Sequence, residues 1–122
     1  MPALLDASPA AEILAFLRRI GIPVAIGQLP VETFLPGVSV RGGGLVVDPE
    51  RLRWPSDLLH EAGHIAVTAP ENRATLDAVS DDPGEEMAAI AWSYAAALEI
   101  GLDARILFHD GYKGGGAALA EN

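Results

Sequence analysis

Between Pro55 and Pro70 lies the run Leu58-Leu59-His60-Glu61-Ala62-Gly63-His64-Ile65-Ala66, in which the only polar side chains are two histidines and the glutamate between them. The composition predicts a helix from Asp57 to about Val67, with Ser56 as N-cap and an end before Pro70. A helix whose flanking residues are all uncharged is expected to be buried, carrying its few polar groups inward. At 3.6 residues per turn, positions i and i+4 project from one face a single turn apart, so both imidazoles can reach one divalent ion.

The rest of the chain limits how such a site is built. At 122 residues, half of them hydrophobic, the chain is long enough for one hydrophobic core and too short for two ordinary domains, so a single domain over residues 1–122 is expected. Cysteine is absent, which excludes disulfides and thiolate ligands and leaves His and carboxylate groups to hold any metal. The net charge of −9 argues against nucleic-acid backbones and anionic membranes as partners, since both require clustered Lys and Arg. Met1 to Gly21 is interrupted by Asp6, Glu12, Arg18 and Arg19 and does not read as a signal peptide. The longest strongly apolar uncharged segment, Met87 to Leu98, falls well short of the roughly 20 residues that span a bilayer. A cytoplasmic location is the expectation.

Helical spacing of Ile13, Leu14, Leu17 and Ile20 predicts a first helix over about Ala10 to Ile20, capped by Asp6 or Ser8, with Gly21 past its end. Pro23 and Pro30 prevent a long helix next, and a short extended piece such as Pro23 to Ile26 is expected. Val38-Ser39-Val40 and Leu45-Val46-Val47 flank Arg41-Gly42-Gly43-Gly44 and read as a hairpin. The glycines lack the lysine and following helix of a phosphate loop. After a loop over Thr68 to Asp81, with a turn near Leu76, Asp82, Pro83 and Glu85 give the start of an alanine-rich helix running to Gly101. Asp103 can cap a short last helix through Phe108, followed by a glycine- and alanine-rich tail.

A catalytic zinc commonly has three protein ligands and a fourth position for water. His60 and His64 supply two ligands, and Glu61 can act as general base on the water. The third is not a histidine six positions after the second, because position 70 is Pro. A carboxylate at the start of the following helix fits better than the distant His109. Glu86 heads a row with Ile90 and Tyr94, whereas Glu85 heads one with Ala89 and Ser93 and holds the capping-box position, so Glu86 is favoured and Glu85 is the alternative.

This constellation of HExxH on one helix, a glutamate on a second and a preceding hairpin resembles the gluzincin metallopeptidases over about Val38 to Leu98. It is similar also to minimal zincin-like bacterial domains, including those related to phage-repressor-cleaving metallopeptidases. The resemblance implies an α+β zincin-like domain with one Zn2+ held by His60, His64 and a glutamate, and Glu61 as catalyst. The pattern departs from the thermolysin type, in which an aspartate follows the ligand glutamate by four residues: Ile90 follows Glu86 and Ala89 follows Glu85, so no partner for a ligating histidine is evident.

Two further candidates lie in His109-Asp110-Gly111-Tyr112-Lys113, where His109 or Tyr112 would donate to a developing oxyanion if the segment folds over the metal. The strand Leu45 to Val47 is a candidate edge for adding an extended peptide. Trp54 and Trp92 read as core or pocket-wall residues. The expected function is that of a zinc-dependent metallopeptidase acting on a peptide or protein substrate. The alternative is a non-catalytic zinc-stabilised interaction module. The oligomeric state is not legible.

Overall fold

A computed structural model of the chain describes residues 9–30, 32–80 and 82–102. It is a mixed α+β arrangement of helix α1 (Ala10–Arg19), strands β1 (Val24–Ile26), β2 (Val38–Arg41) and β3 (Gly44–Val47), and helices α2 (Asp57–Ala66), α3 (Pro70–Arg73) and α4 (Pro83–Ile100). The expected caps of α1, Asp6 and Ser8, and the expected last helix and tail lie outside the described residues.

The hairpin forms as its sequence suggests. Gly42 and Gly43 both have positive φ, 58° and 77°, the conformation that a two-residue turn between twisted strands requires and that glycine adopts without strain. The register places Val38 opposite Val47 and Val40 opposite Leu45, and all four side chains are buried on one face. The expectation that Leu45 to Val47 offers a free edge is corrected. β3 is the central strand, paired antiparallel to β2 and parallel to β1 through Val24–Leu45 and Ile26–Val47. The parallel partner lies about twenty residues upstream, and nothing local in β3 announces it.

The apolar sheet face packs against α2, which also lies against α1 and most extensively against α4. Leu58, Leu59, Ala62 and Ile65 of α2 share one core with Ile13, Leu14 and Leu17 of α1 and the four strand residues. Each fully buried Leu or Ile contributes about 1.5–3 kcal/mol. Trp92 is a half-buried wall of this core, tilted against Phe16 at 6.4 Å between ring centroids. Trp54 is half-buried and carries the Arg53 guanidinium over its ring at 4.6 Å.

Two local expectations fail for identifiable reasons. Ser56 occupies the N-cap position of α2 but its backbone is already helical and its side chain makes no capping bond; its carbonyl instead accepts from Leu59 and His60 N–H at 3.0 and 3.3 Å. The loop after α2 contains a short helix, because Pro70 at its first turn starts α3 as well as excluding continuation of α2. α3 delivers Arg73, whose guanidinium donates to the carbonyls of Ile65, Ala66 and Thr68 at 2.9–3.1 Å. These carbonyls lie at and just past the end of α2, where intrahelical donors run out and a cation also complements the helix dipole; that of Ile65 accepts the Thr68 N–H as well, at 3.1 Å. No helix among the described residues is long and apolar enough to cross a membrane.

Candidate metal centre

Nine of the ten residues of α2, all except Ala66, are buried. Its polar residues Asp57, His60, Glu61 and His64 follow i, i+3, i+4, i+7 spacing and so form one stripe, while its apolar residues fill the remaining sides. This helix therefore holds two imidazoles and two carboxyl groups inside the molecule. Such groups are costly to bury unless something compensates them.

The compensation comes largely from α4. Gly63 sits where α2 crosses α4, and a Cβ there would stand 2.7 Å from the Ala89 carbonyl oxygen. Only glycine admits this approach. The face of α4 turned inward is Ala89, Ser93, Ala96 and Ala97, whereas Met87, Tyr94 and Leu98 are exposed. The expected row of Glu86, Ile90 and Tyr94 is inward only in part: Ile90 is half-buried against the core, Tyr94 is exposed, and small residues face α2 because the helices are close. Glu85 and Glu86, one turn before Ala89, are consequently aimed at the histidines.

Both oxygens of Glu86 engage ring nitrogens, with Oε1 2.9 Å from His64 Nε2 and Oε2 3.3 Å from His60 Nε2. Glu85 Oε2 lies 2.8 Å from the other nitrogen of His64, Nδ1. The two rings meet edge to face at 5.3 Å between centroids. Glu61 completes the group: ligand atoms of His60, Glu61 and His64 all lie within 4.8 Å of one another, and all three residues are buried. Glu86, not Glu61, touches both Nε2 atoms, so it is the better placed of the two to share an ion with them.

Glu61 is held differently. Its Oε1 is buried with no hydrogen-bond partner among the described residues. Burial pushes its carboxyl up to about 8, with the negative charges of Asp57 and Glu86 adding to the rise. Asp57 had drawn no notice in the sequence beyond opening the helix. Its position four residues before Glu61 was the available signal, since i and i+4 share a face.

The capping box at the start of α4 is only half made. Asp82 Oδ2 accepts the Glu85 N–H at 2.9 Å, but the Glu85 side chain goes to His64 and the Asp82 N–H donates to Ser80 Oγ at 3.0 Å. The histidine partner that the sequence did not reveal is therefore adjacent to Glu86 rather than one turn beyond it. His109 and Tyr112 lie outside the described residues.

The donor set suits a divalent ion of the zinc type. Imidazole nitrogens and carboxylate oxygens are zinc ligands, and a cation would offset the charges of Asp57 and Glu86 that add to the burial-driven rise of the Glu61 carboxyl. Comparison of the chain with known protein families, curated proteins and solved structures finds no match.

Proposed function

We propose that the chain is a small zincin-like metallohydrolase that cleaves a peptide bond in a peptide or protein, with one Zn2+ held by His60, His64 and Glu86 and with Glu61 as general base. The observation that carries this reading is the convergence of two Nε2 atoms on one carboxylate beside a buried glutamate oxygen with no hydrogen-bond partner among the described residues. An ordinary buried ion pair has no use for the second feature.

Bound there, the ion supplies Lewis acidity that polarises a carbonyl and lowers the pKa of water to about 7. With the ion in place, Glu61 would accept a proton from water and pass it to the leaving amine. The burial that raises its carboxyl also makes it a stronger base once ionised, and a nearby cation favours the ionised form. Loading of the site and readiness of the base are thereby coupled.

The burial of His60, Glu61 and His64 to within 2 % exposure favours a second reading, a non-catalytic zinc-stabilised interaction module. One experiment separates the two. Zinc-loaded protein and its Glu61→Gln variant are incubated with a peptide library, and zinc content is measured for both. A hydrolase loses about 100-fold or more of its cleavage rate in the variant while keeping one zinc. Cleavage unchanged by Glu61→Gln removes that residue's role, and one bound zinc with no cleavage by either protein leaves the module.

A further inference from the structure

We infer that Glu85 is the positioning residue of this site: its carboxylate holds the Nδ1 proton of His64, so that Nε2 carries the free lone pair. This rests on the reading of His60, His64 and Glu86 as ligands of one ion. A neutral imidazole has one N–H and one lone pair. His64 is fully buried and has a carboxylate oxygen at each nitrogen, Glu85 Oε2 at 2.8 Å from Nδ1 and Glu86 Oε1 at 2.9 Å from Nε2. The two sides are not equivalent. Glu86 also reaches His60 Nε2 at 3.3 Å, so the Nε2 side is where ligand atoms gather, whereas among the described residues Glu85 alone brings a carboxylate to Nδ1. A proton on Nδ1 donated to Glu85 turns the lone pair of His64 toward Glu86 and His60.

Four features of α4 and its surroundings make this placement specific. Neighbouring helical residues are about 100° apart around the axis, so consecutive glutamates can straddle one imidazole. The Asp82 N–H, which the Glu85 side chain would satisfy in a complete capping box, is taken by Ser80 Oγ. The Glu85 backbone is in turn fixed by Asp82 Oδ2, and the close approach at Gly63 and Ala89 sets the distance from which the side chain reaches. Carboxylates hydrogen-bonded to ligating histidines fix the tautomer and raise ligand basicity.

The test measures zinc affinity of the full chain by competition with a chromophoric chelator, for the wild type and for Glu85→Ala, Glu85→Gln and Glu86→Ala. Nitrogen-15 NMR of the zinc-loaded proteins reads the His64 tautomer. Glu85→Ala is expected to weaken zinc binding by about 10–100-fold at unchanged 1:1 stoichiometry and to lose the slowly exchanging Nδ1 proton. Glu85→Gln keeps an acceptor for that proton and is expected to lose less affinity and to retain the resonance. Should Glu85→Ala fail to fold by far-UV circular dichroism, Glu85→Gln carries the test on affinity alone, since a merely structural contact would leave zinc affinity at the wild-type value. Wild-type affinity in the Glu85 variants overturns the inference. So does a cobalt-substituted absorption spectrum in Glu85→Ala showing the same loss of a ligand as Glu86→Ala, for then Glu85 is itself a ligand. A wild-type protein that binds no zinc overturns the metal reading instead, a result distinguishable from either.

Discussion

Asp48, at the end of β3, and Glu61, in the middle of α2, are both buried carboxyl groups, and the protein treats them in opposite ways. Asp48 Oδ2 accepts the Leu29 N–H at 2.9 Å and Oδ1 accepts the Glu50 N–H at 3.1 Å. Those backbone donors, the one from Leu29 foremost, hold its carboxyl below the usual value against the opposing effect of burial, with Arg51 helping. Glu61 Oε1 has no hydrogen-bond partner among the described residues, so burial, with the charges of Asp57 and Glu86 adding to it, raises its carboxyl to about 8. Burial is common to both. Satisfaction of the lone pairs is what distinguishes a carboxylate that ties loops together from one held in reserve for chemistry or for a cation.

The largest expected effect sharpens that contrast directly. In metal-free protein the folded pKa of Glu61 lies far above its unfolded value of 4.5. The stability associated with the neutral carboxyl is therefore fully present below pH 4.5 and is lost as pH rises through about 8. Glu61→Gln does not titrate. With chelator present, urea unfolding at pH 5, 6, 7 and 8 is expected to show the variant gaining on the wild type at every step, by on the order of a few kcal/mol at the alkaline end. Saturating zinc is expected to flatten the difference. A gap independent of pH would mean that Glu61 is an ordinary carboxylate and that the contrast with Asp48 is false.

The next effect tests whether the end of the motif helix is as well satisfied as Asp48. Arg73 closes three carbonyls of the α2 C-terminal turn and the residues after it, and hydrogen bonds to a charged group are each worth about 1.5–3 kcal/mol. Arg73 is half-buried, so screening reduces that. Arg73→Ala is expected to lower stability by about 1–3 kcal/mol in denaturant unfolding, with Arg73→Lys intermediate because an ammonium cannot serve three acceptors in that geometry. A loss below a few tenths would show that water caps the helix equally well.

Gly63→Ala comes third, because two terms oppose each other. Alanine gains roughly 1 kcal/mol over glycine in helix propensity, but its Cβ meets the Ala89 backbone at 2.7 Å and neither helix can yield there without moving the other. Overpacking of this kind costs about 1–3 kcal/mol. The expected outcome is a small net destabilisation, accompanied by weaker zinc binding as α4 withdraws Glu85 and Glu86. A stabilised variant with unchanged metal affinity would show that the crossing is looser than the structure has it.

The parts of the molecule that the sequence made legible are those encoded within a few residues: the spacing of His60, Glu61 and His64, the glycine turn at Gly42 and Gly43, and the cap at Asp82. What it hid depends on elements meeting at a distance. The parallel pairing of β1 with β3 joins Val24 to Leu45, and no periodicity within either strand records a partner. The destination of the Glu85 side chain is settled by the Gly63–Ala89 crossing and by Ser80, so a motif read along the chain assigned it to its own helix cap. The inward face of α4 was legible only in part for the same reason. Hydrophobicity favoured Ile90 and Tyr94, and Ile90 does pack against the core, but proximity of the helices selects for size where α2 crosses, and there the alanines and Ser93 stand while Tyr94 is exposed. The glycine inside HEAGH was the available sign that the second helix comes this close.

The smallest effect completes the opposition between the two acids. Asp48→Asn preserves shape but leaves one acceptor oxygen where two backbone N–H groups, of Leu29 and Glu50, require acceptors. The amide NH2 then faces one of those donors. The side chain also loses its charge, although the pairing with Arg51 is long, 3.7 Å, and that arginine is largely solvated. The variant is therefore expected to be less stable than the wild type at neutral pH. Because the folded pKa of Asp48 is depressed from 3.8, the stability its carboxylate provides is present above that value and is lost as pH falls through the lower folded one. Both pairs should therefore close in acid, and they differ in the sign of the gap that opens as pH rises: the wild type becomes more stable than Asp48→Asn and less stable than Glu61→Gln. Unfolding measured for both pairs on one pH scale decides the matter. Gaps of the same sign would show that the two carboxyl groups share one environment, and the structural distinction between a satisfied acid and an unsatisfied one would fall.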